Sequence, residues 1–153
     1  MDAFELLAAC AGSWRGANTL HDPHSGRPEE SPSTLQVTPV LAGRFVRLDY
    51  TWSYQGKPQE GSLLVGSDPK TGEISGHWID AWHNDRKVVA CLGASPDGRT
   101  LSVRGSYAAP PGPDWGWRIE ITPGEPGRLR IAHLNVDPGG NEEPAAEGVY
   151  SRA

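Results

Sequence analysis

Gly61-Ser-Leu-Leu-Val-Gly-Ser-Asp-Pro-Lys-Thr-Gly-Glu-Ile-Ser-Gly-His-Trp-Ile-Asp-Ala-Trp82 is the stretch whose reading decides the fold. It describes two strands around a tight turn. Asp68 can hydrogen-bond forward along its own backbone, Pro69 presets φ, and Gly72 accepts a positive φ. Leu63, Val65, Ile74, Trp78 and Trp82 flank that turn and suit a pleated sheet. The rest of the chain repeats the unit with different turns.

Upstream, Asp2 to Cys10 predicts a short helix. Asp2 caps it with Glu5 three residues on, Phe4, Leu7 and Ala8 give it an apolar face, and Gly12 ends it. Leu7-Ala8-Ala9-Cys10 resembles a bacterial lipoprotein cleavage box. Only Met1 to Leu6 precede it, with Asp2 and Glu5 among them, so a signal peptide is not expected here. Gly12-Ser-Trp14-Arg-Gly16 opens a strand running to about His21, residues 22–32 read as a polar loop, and Ser33 to Val40 is a second strand. Arg44 to Tyr54 is a third. Val46, Leu48, Tyr50, Trp52 and Tyr54 fall on one face of it, opposite Phe45, Arg47, Asp49, Thr51 and Ser53. Gln55 to Pro58 then turns the chain into the central hairpin.

Downstream, strands are expected at Val88 to Ala94, from Leu101 to Tyr107, from Trp115 to Ile121, from Leu129 to His133 and from Ala145 to Arg152. Turn residues separate them at Ser95-Pro-Asp-Gly98, Pro123 to Gly127 and Asp137-Pro-Gly-Gly140. The expected fold is therefore all-β: a ten-stranded, up-and-down antiparallel β-barrel with a short N-terminal helix, one domain over residues 1–153. A long meander escapes exposed edges by closing on itself, and parallel crossovers would need helices that the sequence lacks.

Composition sets the outer limits. The 19 Gly and 14 Pro sit between short apolar runs, as turn punctuation does. The net charge is −5 and no basic cluster interleaves with aromatics, which argues against nucleic acid. No apolar run approaches the ~20 residues of a membrane helix. Cys10 and Cys91 form no metal or redox spacing, and a reducing cytoplasm fits them. A homodimer is compatible with all of this.

The Gly-X-Trp opening at Gly12-Ser-Trp14 resembles the signature of calycin barrels. Val40-Leu-Ala-Gly-Arg44-Phe45, Gln59-Glu-Gly61, Asp68 to Gly72 and Trp78-Ile-Asp80 together resemble the family called domain of unknown function 1579, from Leu7 to Arg152. That resemblance implies a lipocalin-like or fatty-acid-binding-like barrel without a settled activity. A more distant likeness, to nitrobindin, implies a barrel holding haem through a late-strand His, here His133.

Six Trp in so small a chain can fill a barrel or line a pocket. The expected ligand-binding set is Trp14, Tyr50, Trp52, Trp78, Asp80, Trp82, Trp117 and His133, around a small hydrophobic or amphipathic molecule. Alternation sets Asp80 between Trp78 and Trp82. A buried carboxylate needs a partner, and Arg47 or Arg118 is the expected one if no ligand serves. His77 and His83 would stand ~20 Å apart on a straight strand at ~3.3 Å per residue, too far to share a metal unless the chain folds back before His83. His21 and His24 flank Asp22-Pro23 without further ligands, so no metal is expected.

Three readings follow. The chain is a binding module; or an acid/base or haem protein using His133 or Asp80; or an interaction protein with a solid barrel. A Trp-lined cavity of ~300 Å³ or more marks the first.

Overall fold

The computed structural model describes residues 1–124 and 126–153. After helix α1 (Ala3–Ala8), ten strands follow: β1 (Gly12–His21), β2 (Pro28–Val40), β3 (Phe45–Tyr54), β4 (Lys57–Ser67), β5 (Ile74–Asp80), β6 (Val89–Ala94), β7 (Leu101–Tyr107), β8 (Trp115–Pro123), β9 (Arg128–Val136) and β10 (Glu142–Arg152). Each pairs antiparallel with its sequence neighbours, and β10 pairs with β1 to close the barrel. Among the described residues closure therefore leaves no strand at an open sheet edge, although β6 and β7 pair only over residues 92–94 of β6.

The central hairpin forms as its residues require. Asp68 accepts hydrogen bonds from the amide of Lys70 at 2.8 Å and from that of Thr71 at 3.3 Å. The Gly72 amide closes the turn on the Asp68 carbonyl at 2.8 Å, with Gly72 at φ 76°. β3 alternates as expected: Val46, Leu48, Tyr50 and Trp52 are buried, while Arg47 and Thr51 are exposed. Along the barrel axis Leu35, Leu48, Leu63, Leu101, Ile119, Ile121 and Leu129 are fully buried. Large apolar side chains thus occupy interior positions that the sequence left open for a ligand.

β4 begins inside the expected turn at Lys57, β5 ends at Asp80 short of Trp82, and β9 runs on to Val136; two further boundaries also differ from expectation. β2 begins at Pro28, inside the expected loop, because Ser31 and Ser33 point inward and are satisfied there. Ser31 accepts from the Ser53 amide at 3.1 Å, and Ser33 donates to the Thr51 carbonyl at 2.6 Å. β10 likewise begins early, at Glu142, with a bulge between Pro144 and Ala146. The turn expected at Pro123 to Gly127 includes Glu125, which lies outside the described residues.

Helix α1 plugs one end. Its capping box is complete: the Glu5 amide donates to Asp2 at 2.8 Å and the Asp2 amide to Glu5 at 2.9 Å. Trp14 lies against this plug and donates its indole N–H to the Cys10 carbonyl at 2.8 Å. The Arg152 guanidinium stacks 4.4 Å over the Trp14 ring and donates to the Ala9 and Ala11 carbonyls at 3.1 and 2.6 Å. These contacts satisfy orphan carbonyls at the helix C-terminus. No helix among the described residues is long and apolar enough to cross a membrane.

Candidate functional site at the open end of the barrel

At the end opposite α1, β5 stops at Asp80 and the chain reverses. Asp80 makes the reversal. Its Oδ1 accepts the backbone amides of Trp82 and His83, both at 2.9 Å, and the His83 Nδ1–H at 3.0 Å. Its Oδ2 accepts the Tyr50 hydroxyl at 2.6 Å and the Trp52 indole N–H at 3.3 Å. Trp78 donates to the Tyr50 hydroxyl in turn, at 2.9 Å. Burial alone would raise the Asp80 pKa, but His83 and the Tyr50 hydroxyl outweigh it and hold the value down to about 2. Burial and the neighbouring carboxylate push Tyr50 well above its ordinary value.

Register explains how these groups meet. Tyr50, Gly61 and Asp80 are direct cross-strand neighbours on β3, β4 and β5. A Cβ on Gly61 would lie 2.2 Å from the Tyr50 hydroxyl oxygen, so only glycine leaves the phenol its path to Asp80. The expected Arg partners are not used. Arg47 and Arg118 point out of the barrel, Arg47 to Asp49 at 2.8 Å and Arg118 to Glu120 and Glu142. Alternation puts them on the outer face whenever Leu48 and Trp117 face inward.

Aromatic rings pack around this carboxylate. Trp78 stacks on Trp117 with centroids 4.8 Å apart, and His133 tilts against Trp78 at 5.1 Å and Tyr50 at 6.3 Å. Trp82, half-buried, meets Tyr54 at 5.1 Å, Trp52 at 5.8 Å and the His24 ring edge at 6.2 Å. The His83 ring sits between Trp82 at 4.8 Å and Trp117 at 5.3 Å. Above it opens a cavity of about 290 Å³, bordered by Leu20, Asp22, Trp82, His83, Trp117, Asn135 and Pro144. The rim is tied by Tyr54 donating to Asp22 at 2.9 Å and Tyr107 donating to Asn135 at 2.5 Å. A wider depression of about 1200 Å³ lies along β1–β5. The outward residues Arg15, Thr34, Gln36 and Thr51 border it together with Trp14, Tyr50 and Asp80; none of the paired aromatic contacts at the barrel mouth includes Trp14, and the smaller opening is the one walled by rings that touch one another.

Of the eight expected site residues, Tyr50, Trp52, Trp78, Asp80, Trp82, Trp117 and His133 converge at this end. Trp14 does not: it belongs to the plug at the other end. Only Trp82 and Trp117 border the cavity, while the rest form the packed layer beneath it. His83, Asp22 and Asn135 lay outside the expected set. The signal for His83 was its place three residues after Asp80, the spacing of a carboxylate-capped turn.

Haem on His133 does not fit. The Trp117 indole N–H, which can only donate, points at His133 Nδ1 at 3.1 Å, so Nδ1 accepts and the proton of the neutral ring sits on Nε2. No lone pair is left for iron. Burial, with His83 nearby, lowers the His133 pKa to about 3 against the weaker pull of Asp80, so the ring is held neutral in the core. Asp80, with both oxygens occupied, is no proton donor near neutrality. His77 is exposed, whereas His83 folds back to Asp80, so the two do not share a metal. Among the described residues no group of three or more His, Cys, Asp or Glu is placed to hold one.

Fold and site together define a closed, lipocalin-like barrel, plugged at one end and aromatic at the other. The chain belongs to the family described as protein of unknown function (DUF1579), whose model matches residues 2–152. Among solved structures it is similar to Rv2717c from M. tuberculosis, at 16% identity and TM-score 0.64 over 99% of this chain and 97% of that one. It is also similar to the S-type phycobiliprotein lyase CPES from Guillardia theta, at 16% identity and TM-score 0.62 over 100% of this chain and 93% of that one. At that identity the likeness shows the fold alone. A search of curated protein sequences found no match.

Proposed function

We propose that this protein binds a small apolar or amphipathic molecule at the open end of its barrel. The observation that carries the reading is the cavity of about 290 Å³ walled by Trp82 and Trp117 over His83. Its volume stands near the lower end of ligand sites, which run from ~300 to ~1,000 Å³. An apolar wall with a few placed polar groups is the usual chemistry of such sites. The filled axis beneath means that the ligand sits at the mouth and is not swallowed. A solid interior would also suit a protein acting through its outer surface, but such a protein needs no aromatic opening.

Native mass spectrometry of the purified protein tests this. A retained small molecule in the wild type, absent from Trp82→Ala, is the expected result. A bare mass, together with no change in indole fluorescence on adding small aromatic probes, overturns it.

A further inference from the structure

The wall of the mouth cavity contains one side chain whose polar tip is fixed from behind. Asp80 is ionised and can only accept, so His83 presents Nδ1–H to it, at 3.0 Å. In the neutral ring that leaves the lone pair on Nε2, and among the described residues Nε2 has no hydrogen-bond partner. The His83 side chain is 13% exposed and borders the cavity. A carboxylate that fixes the tautomer and orientation of an imidazole is a recurrent way of preparing it to accept a proton or a hydrogen bond.

We propose that the Asp80–His83 pair selects a phenolic ligand, a flat ring held against Trp82 and Trp117 whose hydroxyl donates to His83 Nε2. This rests on the mouth-cavity reading and adds the ligand's chemical class to it. Three observations favour this class. Two indoles, Trp82 and Trp117, form part of the wall beside the His83 ring, and such faces favour flat rings through offset or edge contacts. The volume suits one or two rings, since an apolar cavity of ~150 Å³ already holds benzene. The surrounding charge disfavours an anion: Asp22 and Glu143 stand at the rim and Asp80 lies behind His83, against Arg27 alone. A fatty acid would bring its carboxylate to an acceptor atom among carboxylates, whereas a phenol brings a neutral donor.

The test compares para-cresol with para-xylene, which share shape and differ by hydroxyl against methyl. Their affinities are measured by titration for the wild type and for His83→Asn. Asn keeps a donor at the Nδ1 position for Asp80 and has nothing at the Nε2 position. Comparing the cresol-to-xylene affinity ratio between the two proteins cancels the different hydration of the probes. The ratio is expected to fall about five- to tenfold in His83→Asn, the worth of one buried hydrogen bond. An unchanged ratio overturns the phenolic assignment while xylene binding leaves the cavity reading standing. If neither probe binds the wild type, both fall. A second readout needs no variant: the ¹⁵N resonance of His83 Nε2 moves with cresol and not with xylene, and equal movement overturns the proposal.

Discussion

His133 should make this protein acid-sensitive well above the pH at which its carboxylates titrate. The imidazole is 7% exposed, holds its Nδ1 lone pair to the Trp117 indole, and is enclosed by Trp78, Trp117 and Tyr50. Its pKa falls from the ordinary 6.5 to about 3. Because the folded value is depressed, the unfolded chain binds a proton that the native state refuses between about pH 6.5 and pH 3. Stability is therefore full above pH 6.5 and declines as pH falls through that window. Between pH 7 and pH 4.5 about two pH units count, each worth 1.36 kcal/mol, so the loss is about 2.5 kcal/mol. With an m-value of ~2 kcal/mol/M, the urea midpoint should drop by about 1 M. His133→Gln keeps an acceptor for Trp117 but does not titrate, so its midpoint should change much less over the same interval. Asp22, Asp97, Asp137 and Glu142 all have lowered pKa values, and they serve as the shared background in both proteins. Equal midpoints at pH 7 and 4.5 in the wild type, or an equal drop in His133→Gln, would refute the reasoning.

Asp80→Asn should destabilise the fold by about 2–4 kcal/mol at pH 7, since one amide cannot satisfy five donors and charge-assisted bonds are lost. The Asp80 pKa is lowered, so its advantage is present above about pH 4 and fades as pH falls toward 2; chemical denaturation of both proteins should converge there. A neutral-pH difference below about 0.5 kcal/mol contradicts the role given to the carboxylate. Gly61→Ala forces Tyr50 off its path and should cost about 1–3 kcal/mol by overpacking. At ~2–4 °C per kcal/mol for this size, calorimetry should show a melting temperature lower by roughly 2–12 °C. An unaltered melting temperature would mean that Tyr50 does not need the space.

Much of the barrel was legible because its strands alternate openly. Val46, Leu48, Tyr50 and Trp52 against Arg47, Asp49 and Thr51 divide β3 into two faces, though which of them turns inward came only with the structure, and Asp68 to Gly72 states where the chain turns. β2 was half hidden, because its inward residues at positions 31 and 33 are serines that burial tolerates once hydrogen-bonded. The aromatic layer could be named from alternation on β3, β5, β8 and β9. Its limits could not. Trp14 is inward like the others but lies near the start of β1, at the plugged end, and position along the axis depends on register across all ten strands. His83 escaped because straight-strand spacing carries it away from Asp80, whereas the carboxylate itself bends the chain back. Arg47 and Arg118 drew notice as counter-ions for a buried acid. The actual partners of that acid are a phenol, an indole, an imidazole and two backbone amides, none of which advertises itself as a counter-charge.

The indole N–H signals of the six Trp residues, followed by two-dimensional NMR while para-xylene is added, test the central claim most directly. Trp82 and Trp117 at the mouth are predicted to shift in a saturable manner, while Trp14, bound to the Cys10 carbonyl at the far end, stays still. Movement of Trp14 in step with the others, or no movement of Trp82 and Trp117, would contradict a ligand site at the open end.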